Sequence, residues 1–115
     1  MEVIFYKDSN GKVPVQDFLE SLDKKMRSKV LLEMKYLQQF GHTLREPHSK
    51  SLNDGIFELR AQMGGNISRV LYFFFVGDKA IITNGFVKKT QKTPAEEIEF
   101  SKKCKQEYLA SHGGK

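Results

Sequence analysis

Residues 56–87 read Ile56-Phe57-Glu58-Leu59-Arg60-Ala61-Gln62-Met63-Gly64-Gly65-Asn66-Ile67-Ser68-Arg69-Val70-Leu71-Tyr72-Phe73-Phe74-Phe75-Val76-Gly77-Asp78-Lys79-Ala80-Ile81-Ile82-Thr83-Asn84-Gly85-Phe86-Val87. Over 56–63 side chains alternate. Phe57, Leu59, Ala61 and Met63 share one face, and Ile56, Glu58, Arg60 and Gln62 share the other, the period of a strand. Gly64-Gly65-Asn66 reverses the chain. Residues 67–76 form a long β-branched and aromatic run, and Gly77-Asp78 makes a second tight turn. Residues 79–87 form a third strand. Turns this short join antiparallel neighbours, so the stretch predicts a three-strand meander.

The flanking segments supply helices. Val3-Ile4-Phe5-Tyr6 is a short strand-like run, followed by turn chemistry in Asp8-Ser9-Asn10-Gly11. Pro14 suits the first position of a helix. Val15, Phe18, Leu19 and Leu22 then fall on one helical face. Asp23 caps a second helix, whose stripe is Met26, Val30, Met34 and Leu37 and whose end is marked by Gly41. Residues 42–55 are polar and broken, with turn signals at Pro47 and Asn53-Asp54-Gly55. Thr93-Pro94-Ala95-Glu96 has the form of a capping box and predicts a last helix over 94–110. Its apolar face (Ala95, Ile98, Tyr108 and Leu109, with Cys104 nearby) is thin, so it docks loosely or is completed by a partner. The order β-α-α-β-β-β-α predicts an α+β fold. A twisted antiparallel sheet, built from the N-terminal strand and the meander, is flanked by two N-terminal helices and a C-terminal helix.

Composition sets bounds. The 115 residues suit one domain spanning 1–115. A hydrophobic fraction of 39% and a charged fraction of 29% fit a soluble globular protein. No apolar run approaches the roughly 20 residues that span a bilayer, and no membrane partner is expected. Met1-Glu2 leads straight into a strand, so no signal peptide is expected. The lone Cys104 suits a reducing, cytoplasmic setting. His42, His48 and His112 lack metal-ligand spacing, so neither metal nor cofactor is expected. The net charge of +5 favours anionic partners.

Cations concentrate where the last strand ends: Lys88, Lys89 and Lys92 follow Asn84-Gly85-Phe86-Val87. Such a place can meet a phosphate, although a basic solvated loop reads the same way. Glu58 and Arg60 share a strand face and, alone, read as a surface ion pair worth roughly 0–1 kcal/mol. Arg69 is more telling, because it interrupts an apolar run. If Met63 pairs with Ile67 across a three-residue loop, Arg69 lies opposite Ala61. If the loop is only Gly64-Gly65, Arg69 lies opposite Arg60, and an anion between the two guanidiniums is required. The second pairing is the expected one. Metal-free cleavage of RNA needs a base for the 2′-hydroxyl, cations for the phosphoryl oxygens and an acid for the 5′-oxygen. Arg60, Arg69, Lys88 and Lys89 can supply the cations. Glu58 can supply the base, and Tyr72, His48 or a lysine the acid.

Three strings carry a resemblance. They are Lys50-Ser51-Leu52-Asn53-Asp54-Gly55-Ile56-Phe57-Glu58-Leu59-Arg60, Arg69-Val70-Leu71-Tyr72-Phe73, and Asn84-Gly85-Phe86-Val87-Lys88-Lys89-Thr90-Gln91-Lys92-Thr93-Pro94. Together they resemble the RelE/ParE toxin superfamily, most closely its HigB-like, phage-derived branch. The resemblance implies a toxin of a type II toxin–antitoxin pair, a small metal-independent ribonuclease that cuts mRNA in the ribosomal A site. It also implies a helix-turn-helix antitoxin, HigA-like, that binds the toxin and ties it to operator DNA. The last helix and the N-terminal helical pair mark where that antitoxin would bind. By the same resemblance Arg69 falls at the scissile phosphate, Arg60 at a basic position of the preceding strand, and Lys88 or Lys89 after the last strand. Glu58 stands where some relatives carry lysine, and Thr90-Gln91-Lys92-Thr93 where many present a tyrosine or histidine, which leaves the general acid open. The expected consequence is that Arg69→Ala folds normally and loses toxicity. Two other functions compete: ParE-like inhibition of DNA gyrase, and plain RNA binding with salt-sensitive affinity.

Overall fold

In the computed structural model, which describes residues 1–87 and 92–113, the meander forms as expected and gains a neighbour on each side. The elements are β1 (Glu2–Phe5), α1 (Pro14–Ser21), α2 (Lys24–Phe40), a short 3-10 turn (Gly41–Thr43), β2 (Ser49–Ser51), β3 (Phe57–Met63), β4 (Asn66–Phe75), β5 (Lys79–Val87) and α3 (Ala95–His112). The sheet order is β1-β5-β4-β3-β2. The fold is α+β, with two corrections to the sequence reading. The sheet has five strands, because residues within the polar 42–55 stretch pair with β3 as β2. It is also mixed, because β1 lies parallel to β5. Two helices separate β1 from the meander, and a connection of that length permits parallel pairing.

Local chemistry explains the helix starts. Pro14 opens α1 at its first position. Asp23 caps α2, accepting from the Met26 amide at 2.8 Å. For α3 the capping box does not form. Pro94 is the cap residue, and no side chain bonds to the helix end. The Thr93 hydroxyl donates instead to Glu58 of β3.

Both sheet faces are covered. On one, Val15, Leu19, Val30, Met34 and Leu37 of α1 and α2 pack on Leu59, Ala61, Val70, Tyr72 and Ile82. On the other, Cys104 and Tyr108 of α3 pack on Leu71, Phe73, Ile81 and Phe86. Burial on both sides explains why residues 70–73 read as an unbroken apolar run rather than an alternating one. Gly85 faces α1 at a point of close approach. A Cβ there would overlap the ring of Phe18. Gly85→Ala is expected to destabilise the fold by about 1–3 kcal/mol through overpacking. The urea midpoint should recover in part when Phe18→Ala is added, and an unshifted midpoint in Gly85→Ala contradicts the packing.

α3 docks differently from the expectation. Its buried side chains are Ser101, Cys104 and Tyr108, while Ala95 and Leu109 are exposed. Polar contacts do much of the work at a bulge in β5, where Leu71 pairs with Asn84 and Tyr72 with Ile82. Thr83, the extra residue, donates to Asn84 Oδ1 at 2.6 Å and lies 2.7 Å from Ser101 Oγ. Asn84 Nδ2 donates to Glu97 Oε1 at 2.9 Å. At the far end Tyr6 donates its hydroxyl proton to Glu107. Burial and the Glu107 carboxylate push the Tyr6 phenol well above its ordinary value of 10.0. Burial, with Glu107 again contributing, pushes the Cys104 thiol from 9.0 up to about 12.

These two groups hold their protons more tightly folded than unfolded. Their contribution is complete below the unfolded values and is lost as pH rises. Stability should fall from about pH 9 upward, and Tyr6→Phe with Cys104→Ala should flatten that decline. A urea midpoint constant to pH 11 contradicts it. No helix among the described residues is long and apolar enough to cross a membrane.

Candidate phosphate-binding site

The Gly64-Gly65 turn sets the site. Gly64 adopts a left-handed conformation (φ 61°), which glycine reaches without a Cβ clash. The loop is therefore two residues long, Met63 pairs with Asn66, and Arg60 lies directly opposite Arg69. This is the expected register. The anion between the two guanidiniums is internal. Glu58 Oε2 accepts from Arg69 Nη1 and, at 3.1 Å, from Arg60 Nε. Glu58 Oε1 accepts from Thr93.

Burial separates the roles. Glu58 is 0% exposed and Arg69 7%. The Arg60 side chain keeps 24% of its surface open and reaches toward Glu46 at 3.8 Å. Burial pulls the Arg69 guanidinium below the ordinary arginine range, Glu58 opposes this, and Arg60 adds to it. Arg69 Nε is buried with no hydrogen-bond partner among the described residues.

Two clefts meet at Arg60. The larger, about 490 Å³, lies between β2, β3 and the start of α3, and is lined by Lys50, Asn53, Glu58, Arg60, Lys92 and Thr93 among others. Lys50 sits directly across from Glu58 in the β2–β3 pairing, so the two side chains share a face. The smaller, about 260 Å³, lies at the other side of Arg60 and includes Lys29, Glu33, His48 and Arg69. A cleft lined by several cations suits an extended anionic ligand.

Residues 17–106 match the family described as Phage derived protein Gp49-like (DUF891). The chain belongs to that family. It is a family associated with RelE/ParE-like toxins. No curated protein matches the sequence.

In this Gp49-like protein the structure brings together Glu58, Arg60 and Arg69 of the expected site residues. Lys88 and Lys89 lie outside the described residues. Tyr72 is not brought to the arginines. It faces α1 and α2, is 1% exposed, and lies 2.5 Å from Ser49 Oγ. Its burial pushes the phenol up, with Ser49 and Arg45 opposing. The alternation of β4 places Tyr72 and Arg69 on opposite faces, so this separation was legible in the sequence. Sequence reasoning took Thr93 for a helix cap and did not single out Lys50 or Glu33. The Lys50–Glu58 pairing needed β2 to be recognised, and the Thr93 contact joins residues 35 positions apart.

Proposed function

We propose that this Gp49-like protein is the toxin of a type II toxin–antitoxin pair, HigB-like, and cleaves mRNA on the ribosome. The observation that carries the reading is the buried Glu58 holding two arginines of adjacent strands, with the partly open Arg60 placed between two cation-lined clefts. In this reading Arg60 and Lys50 bind the strand through its phosphates, with Lys92 beside them. Charge develops on the phosphoryl oxygens during attack by the 2′-oxygen, and a preorganised guanidinium stabilises it. Glu58 is buried with both oxygens engaged. Its part is therefore to hold Arg60 and Arg69 in place rather than to take a proton. Lys88 and Lys89 follow β5 in the sequence and lie outside the described residues. The partners are mRNA, the ribosome and a helix-turn-helix antitoxin that ties the toxin to operator DNA.

Purified protein should stop cell-free translation and cut mRNA only when ribosomes are present. Intact mRNA in arrested, ribosome-containing reactions refutes the reading. The Arg60–Glu58 pairing also fits a ParE-like inhibitor of gyrase, in which the charges serve structure alone. A supercoiling assay run beside the translation assay separates the two.

A further inference from the structure

Glu33 lies in the middle of α2, yet it is only 3% exposed. A carboxylate at that depth needs partners. One is Lys29, a turn earlier on the helix, at 3.5 Å. The other is His48, whose Nδ1 lies 2.9 Å from Glu33 Oε1. An ionised carboxylate only accepts, so Nδ1 carries the proton and Nε2 is left for a second partner. Tyr36, three residues further along α2, meets the imidazole edge-on, with centroids 5.2 Å apart. The ring is thus fixed from two sides while 40% of the side-chain surface stays open.

The backbone ties this histidine to the arginine site. The Arg60 amide donates to the His48 carbonyl at 2.9 Å. Both side chains then line the same 260 Å³ cleft, together with Arg69 and Lys29. The titratable and charged groups around the imidazole are Glu33, Lys29 and Tyr36 of α2, Arg60 of β3, Arg69 of β4, and Glu46 nearby in its own segment. Among them, histidine is the side chain type whose charge ordinarily changes between about pH 5 and 8.

We propose that His48 is the general acid of the cleavage reaction and that Glu33 positions it; this rests on the ribonuclease reading above. The 2′-oxygen attacks phosphorus and gives its proton to water. The O2′–P bond forms and the P–O5′ bond breaks. In the imidazolium form both ring nitrogens carry protons; the one on Nε2 passes to the departing 5′-oxygen, leaving a 5′-hydroxyl and a 2′,3′-cyclic phosphate, while the Nδ1 proton stays on the ring against Glu33. His48 regains a proton from solvent, and nothing is oxidised or reduced.

The test is single-turnover cleavage of ribosome-bound mRNA by the wild type, His48→Gln and Glu33→Gln across pH 5.5–8.5. His48→Gln should be slower by about 100-fold and should lose the decline in rate toward high pH. A second substrate carries sulfur in place of the bridging 5′-oxygen at the cut. A thiolate leaves without a proton, so His48→Gln should regain the wild-type rate there. A merely structural role predicts equal defects on both substrates, and that result overturns the proposal. So does a folded His48→Gln that keeps the rate and its pH dependence. If His48→Gln does not fold, Glu33→Gln decides. It retains an acceptor for Nδ1, and it should lower the maximal rate, leave the half-saturating ribosome concentration unchanged and be rescued by sulfur. A wild type that cleaves neither substrate defeats the parent reading, whereas cleavage insensitive to His48 and Glu33 defeats this inference alone.

Discussion

Glu58→Ala should lower the folding free energy by about 3–5 kcal/mol, the effect of leaving a buried charge without its partner. Arg69 is 7% exposed, and the described structure offers its guanidinium Glu58 as the anion. Removing that carboxylate strands the positive charge in a low-dielectric interior and sets it against Arg60, directly opposite. The double change Glu58→Leu with Arg69→Met should be much less harmful than Glu58→Ala, because replacing both ions removes the desolvation cost with the attraction. Urea denaturation of the three proteins measures this. A loss below about 1 kcal/mol in Glu58→Ala would contradict a buried guanidinium that depends on this carboxylate. The same physics corrects the expectation that Arg69→Ala folds normally. It leaves Glu58 buried with a partner lost, so lost toxicity in that variant reports folding as much as chemistry.

Arg60→Ala is the cleaner probe, and it should reduce ribosome-dependent cleavage by about 100–1,000-fold. Its side chain is open on the clefts, and Glu58 keeps Arg69 and Thr93 after its removal. Stability should therefore change by no more than about 1 kcal/mol, in line with partly exposed ion pairs. Cleavage kinetics and a urea midpoint on the same preparation give both numbers. Full cleavage by folded Arg60→Ala would place the chemistry elsewhere. The variant should also bind RNA with a shallower salt dependence, since one phosphate contact fewer releases fewer counterions.

The elements that periodicity could name are those that formed. Val15 and Leu19, then Met26, Val30, Met34 and Leu37, are the buried faces of α1 and α2, and the 56–87 meander is β3, β4 and β5. Three readings failed where a local pattern met a distant group. Thr93 looked like a cap, but Glu58 takes its hydroxyl proton. The face of α3 looked too thin, but Thr83, Asn84, Ser101 and Glu97 supply polar docking. Residues 49–51 looked like loop, but three residues suffice to pair with β3.

The sequence alone determined the helices, the meander and the antiparallel direction of its three strands. Side-chain period and turn length are properties of neighbours along the chain, and they need no knowledge of the rest. Tertiary structure alone decided which charges meet: Arg60 with Arg69, Glu58 between them, Thr93 above, and Glu33 against His48. Those meetings depend on strand order and on a register in which a slip of one residue turns every side chain to the opposite face. The two-residue turn at Gly64-Gly65 and the packing of helices on both faces fix that register, and with it the site.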